Sequence, residues 1–135
     1  MHRTRKTGDD VGFQKREVML CRVLLAVLLL IISYFAFTPV RYPVLEVFSD
    51  KLKHAAAFFA LAAAADFSFP ERPFGLLKIL ALLGYGLGIE LVQQHLPYRQ
   101  FDLLDVAADA AGIALYAVTI PVWRRFPVLR NRWAP

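Results

Sequence analysis

Residues 84–116 read GYGLGIELVQQHLPYRQFDLLDVAADAAGIALY, and the reading of this stretch decides the fold. It continues an apolar, helix-like run that starts near Ile79 and then turns polar at Glu90, Gln93 and Gln94. A short loop with a proline follows, His95-Leu96-Pro97-Tyr98-Arg99, before a second apolar run that carries Asp102, Asp105 and Asp109. Spacing of i, i+3 and i+7 puts those three carboxylates on one face of a helix. Acids entering so apolar a helix are costly and call for partners.

Working outward, the whole chain shares this apolar character. Of 135 residues, 58% are hydrophobic and the mean hydropathy is +0.47. A soluble domain uses roughly 45–50% apolar residues, so a membrane protein of one domain is expected. The net charge of +5 does not point to nucleic acid, because the basic residues gather at the two ends and not along a stripe. Basic ends flanking apolar runs are the pattern of cytoplasmic anchors. Cys21 is the sole cysteine, which rules out an internal disulfide and a cysteine-based metal cluster.

Residues 1–22 form a polar, basic segment expected to be a mobile cytoplasmic tail. The uncharged run from Val23 to Val40 is long enough to cross a bilayer, too long for the apolar region of a signal peptide, and lacks a cleavage pattern. A connector with Pro39 and Pro43 leads to a second helix, capped by Ser49 or Asp50 and closed by Asp66 and Pro70. Its alanine-rich body suits close helix–helix approach. A third helix is expected from Phe74 to about Gln94, with Gly84, Gly86 and Gly88 forming a flat side, and a fourth from about Asp102 to Trp123. A basic tail, residues 124–135, follows the membrane domain of residues 23–123.

The expected fold is therefore all-α, a polytopic bundle of four transmembrane helices. Lys and Arg concentrate in both tails and in the turn holding Glu71 and Arg72, which predicts cytoplasmic termini. That topology brings Asp50, Lys51, His54, Glu90, Gln93, Arg99, Asp102, Asp105 and Asp109 to one extracytoplasmic pocket. Glu90 opposes the dipole at the end of its helix and needs a cation or a proton; Arg99, Lys51 and His54 are the candidates, and Arg99, with its bidentate fork, is the best of them. Gln93 is expected to bond across helices. Trp123 and Trp133 are expected in an interfacial belt.

Asp50-Lys51-x-x-His54 with Phe58, Glu90-x-x-Gln93, Leu96-Pro97-Tyr98-Arg99, Asp105 and Gly112 together resemble the VanZ-like membrane proteins, a family named for a teicoplanin-resistance accessory protein. The resemblance spans roughly residues 47–117. Where the family shows Asn this chain has Asp109, and where it shows a second Gly this chain has Tyr116. The resemblance implies a small polytopic protein of the bacterial cytoplasmic membrane, and no named reaction.

Three kinds of function fit these residues. The pocket can bind an envelope lipid, a cell-wall precursor or a glycopeptide-type ligand. Alternatively, an enzyme can act on a lipid-linked substrate, with Glu90 or Asp105 as general base, Arg99 as anion clamp and His54 as proton carrier. No obvious nucleophile supports that reading. Thirdly, the cluster can simply tie short helices together. Donors for a metal are present, but without a ligand motif of characteristic spacing, so neither metal nor other cofactor is expected. The acids nonetheless outnumber the fixed cations, which requires a proton or another positive group.

Overall fold

A computed structural model describes residues 8–133, whose regular elements are all helical, with no strand among them. The helices are α1 (Gly8–Phe37), α2 (Pro43–Glu46), α3 (Asp50–Ser68), α4 (Leu76–Gln93), α5 (Leu103–Trp123) and α6 (Pro127–Arg130). A 3-10 turn, Asn131–Trp133, follows α6. Three of them contain stretches long and apolar enough to cross a membrane: Lys15–Phe37, Leu76–Gln93 and Leu103–Trp123. Helix α3 has 19 residues but carries Asp50, Lys51, Lys53 and Asp66.

Local chemistry explains the boundaries. Helix α1 stops just before Pro39, whose ring disfavours helical geometry in the preceding residue. Ser49 caps α3, its hydroxyl accepting from the Leu52 amide at 3.2 Å. Asp102 caps α5 in the same way, accepting from the Leu104 amide at 2.9 Å. The segment expected as a tail behaves differently. Residues 8–22 continue α1 without a break, because no proline interrupts them; residues 1–7 of that tail lie outside the described residues.

Helix α3 lies at the centre and packs most extensively on α5 and α1. Its Phe58, Leu61 and Ala62 meet Leu82 of α4 and Ile113 and Tyr116 of α5 in the core. Gly112 sets the α3–α5 distance, since a Cβ there would overlap the Ala55 carbonyl oxygen. Tyr116 is fully buried between α3, α4 and α5. Its ring stands edge-on to Phe74 and Phe59, with centroids 5.0 and 5.8 Å away. The expected flat glycine side of α4 is not found. Gly84 and Gly88 have open space beside them, whereas Gly86, half a turn away, faces the bundle. Residues two apart on a helix point in nearly opposite directions, so the three cannot share a face.

Antiparallel packing puts the C-terminal ends of α1 and α4 beside the N-terminal ends of α3 and α5. The opposite end of the bundle contains a second polar cluster, built from residues outside the expected pocket. Asp66, fully buried, accepts from Lys78 Nζ at 2.9 Å, from the Tyr116 hydroxyl at 2.8 Å and from the Arg132 guanidinium. Lys78 also donates to the Phe69 and Arg72 carbonyls at 3.0 and 2.8 Å. Arg22 Nε reaches the Ser68 carbonyl at 3.0 Å. Trp133 turns back onto Phe67, its ring 5.4 Å away and edge-on. Charged residues that resemble turn and tail residues in sequence thus close the C-terminal end of α3, whose last carbonyls lack helical partners.

Candidate functional site

The first two turns of α3 project Lys51 and His54 toward α5. From the other side, the cap and opening turns of α5 present Asp102, Asp105 and Asp109. The pairs that result are close. Lys51 Nζ lies 2.6 Å from Asp105 Oδ1 and also pairs with Asp102. His54 Nδ1 lies 2.7 Å from Asp109 Oδ1, while its Nε2 faces Asp105 Oδ2 at 3.5 Å. The i, i+3, i+7 face read in the sequence is therefore the face turned to α3.

Glu90 completes the cluster from the last turn of α4. It is fully buried, and its Oε2 accepts from the Asp102 amide at 2.9 Å. In a capping box a residue of the same helix accepts that amide, but here the acceptor comes from a neighbouring helix. Gly86, one turn earlier, leaves room for the Asp109 carboxylate; a Cβ there would overlap Asp109 Oδ2. The side chains farthest inside are the least satisfied. Neither Glu90 Oε1 nor Asp109 Oδ2 has a hydrogen-bond partner among the described residues. A buried polar atom left unpaired costs about 1–3 kcal/mol, and more when charged.

At the rim, the Lys51 ammonium and the Leu104 amide hold the Asp102 carboxyl below its usual range. Four carboxylates, Glu90, Asp102, Asp105 and Asp109, thus face one lysine and one histidine. The excess of acid seen in the sequence persists in three dimensions.

Three expected members stand elsewhere. Arg99 has no carboxylate partner among the described residues; its guanidinium donates to the Phe35 carbonyl at 2.9 Å and to that of Thr38 at 3.5 Å. Gln93 bonds across helices as expected, to the Ala36 carbonyl at 2.9 Å. Together with the Tyr98 hydroxyl, 2.6 Å from the Phe37 carbonyl, they cap the C-terminal end of α1. That end needs donors from elsewhere, since Pro39 has no amide hydrogen to offer. Asp50 is exposed and pairs with Lys53 at 2.7 Å, away from His54. The site proper comprises Lys51, His54, Glu90, Asp102, Asp105 and Asp109, with Gly86 as the residue sequence reading misplaced.

Comparison with known proteins adds one relative. The chain is 36% identical over 93 residues to an uncharacterised protein of the fission yeast Schizosaccharomyces pombe, an alignment covering 66% of this chain. It spans about half the length of that relative, 55%. No family model matches the chain, and no solved structure matches it.

Proposed function

We propose that this is a VanZ-like integral membrane protein whose acid-rich pocket binds the polar head of an envelope lipid, a cell-wall precursor or a glycopeptide-type ligand. One observation carries the reading: two buried carboxylate oxygens, on Glu90 and Asp109, have no partner among the described residues although the side chains beside them are paired. A carboxylate oxygen seeks a donor, so the preferred head groups carry ammonium, amide or hydroxyl hydrogens. Lys51 and Asp102, both half-exposed at the rim, offer complementary charges at the entrance.

Placement in the membrane belongs to the same proposal. Helix α3 packs against α1 and α5 along its length and, at about 1.5 Å per residue, is nearly as long as the apolar layer is thick. It crosses as the fourth span, with its charges at or near its ends. The Lys/Arg distribution puts both termini in the cytoplasm and the pocket outside. The bacterial cytoplasmic membrane is part of this proposal through the family resemblance alone, and the matched relative is eukaryotic.

A second reading rests on the 2.7 Å contact between His54 and Asp109. A carboxylate that orients an imidazole is the arrangement of a general base, here acting on a lipid-linked substrate. Lipid and small-molecule analysis of the purified protein tests the first reading. A donor-bearing species should be retained by the wild type and depleted at least tenfold in Asp105→Asn. Retention of bulk lipid alone by both proteins overturns it. For topology, Gln100→Cys in a Cys21→Ser background should react with an impermeant thiol reagent in intact cells; reaction only after lysis places the pocket inside.

A further inference from the structure

The His54, Glu90 and Asp105 side chains converge more tightly than a head-group pocket requires. One ligand atom from each lies within 4.8 Å of the other two. The His54 ring is held by Asp109 through Nδ1, which turns Nε2 toward Asp105 Oδ2 at 3.5 Å. In the neutral tautomer that donates Nδ1–H to Asp109, Nε2 turns a lone pair to a carboxylate oxygen, and the two then need a positive centre, a proton or a metal ion, between them. Ligands about 2.1 Å from a tetrahedral ion stand about 3.4 Å apart, close to the observed separation. Independently of that pair, Glu90 is fully buried and its Oε1 has no partner among the described residues.

We propose that His54, Glu90 and Asp105 bind one divalent transition-metal ion, Zn²⁺ or Mn²⁺. One imidazole and two carboxylates suit these ions, whereas all-oxygen sets are the habit of Mg²⁺ and Ca²⁺. Asp109 is the outer partner that fixes the histidine's orientation, an arrangement common around metal-bound imidazoles. Lys51 plays the corresponding part for Asp105, binding Oδ1 and leaving Oδ2 for the ion. The ion offsets the excess of carboxylates. Three protein ligands leave further positions for water or for an oxygen of a bound molecule.

The test uses the full chain purified in detergent, stripped with a chelator, re-equilibrated with Zn²⁺ or Mn²⁺ and passed over a desalting column. Elemental analysis should then find about one ion per chain at free concentrations on the order of 10 µM. His54→Asn and Glu90→Gln should each weaken binding at least a hundredfold, and Asp109→Asn about 10–100-fold. Asp50→Asn and His95→Ala, both exposed and outside the cluster, should bind like the wild type. As a reading that needs no variant, saturating Zn²⁺ should raise the melting temperature of the wild type. Absence of both a retained ion and a thermal shift overturns the proposal. So does equal retention by wild type, His54→Asn and Glu90→Gln. The inference shares the Glu90 oxygen with the head-group reading, but the two fail separately: a stoichiometric ion in a protein that selects no lipid would sustain one and sink the other.

Discussion

The two ends of the bundle solve the same problem in opposite ways. Both bury a carboxylate deep among apolar helices. At one end, Asp66 is met by Lys78, Arg132 and Tyr116, so that each of its oxygens has a donor. At the other, Glu90 and Asp109 each keep an oxygen without one, and the acids outnumber their cations. A cluster evolved only to hold helices together should resemble the first. Ser68 Oγ and Trp133 Nε1 near the first end also lack partners among the described residues, but only the second end leaves buried carboxylate oxygens without donors, a larger cost and the mark of a site.

The largest expected effect lies at the Asp66 end. Asp66→Ala leaves Lys78 and Arg132 buried without their acid and should cost about 3–5 kcal/mol, seen in unfolding by heat or denaturing detergent. Stability equal to the wild type would show that the cluster is ornamental and remove the contrast. Tyr116→Phe is milder. It deprives Asp66 Oδ2 of its donor at 2.8 Å and should cost about 1.5–3 kcal/mol, the range for hydrogen bonds to charged groups. A smaller loss would mean that the two cations suffice.

At the other end, Arg99 sharpens the comparison by standing outside the acid cluster. Arg99→Ala removes charge-assisted hydrogen bonds to helix-end carbonyls at an exposed position, where solvent weakens them, and should cost only about 0.5–1.5 kcal/mol. A loss as large as that of Asp66→Ala would mean that Arg99 neutralises Glu90 or Asp105 after all. Arg41→Ala, an exposed residue near Glu46 at 3.7 Å, provides the baseline near zero.

Much of this was legible in the chain. Prolines and caps mark the helix ends because their chemistry is local: Pro39, Ser49, Pro70 and Asp102 act on their own neighbours. The acidic face of α5 was equally legible, since periodicity alone determines it. The clamp on Asp66 was not. Its partners lie 12, 50 and 66 residues away, and nothing near Arg132 distinguishes it from an ordinary basic tail residue. Arg99 failed for a different reason. Carboxylates and helix-end carbonyls both accept from a guanidinium, and only the packing of α1 beside the 95–102 loop decides between them. Gly86 could have been separated from Gly84 and Gly88 by helical period, which places it on the other side of α4.

Stability of Glu90→Gln, measured beside Asp66→Asn in chelator-treated protein, tests the central claim most directly. Glutamine keeps an acceptor for the Asp102 amide and gains donors for the neighbouring aspartates, whereas asparagine at position 66 removes the charge its two cations need. The account predicts that Glu90→Gln melts at or above the wild-type temperature while Asp66→Asn melts several degrees lower. Equal destabilisation of the two variants would contradict it, because the acid-rich end would then be one more structural clamp.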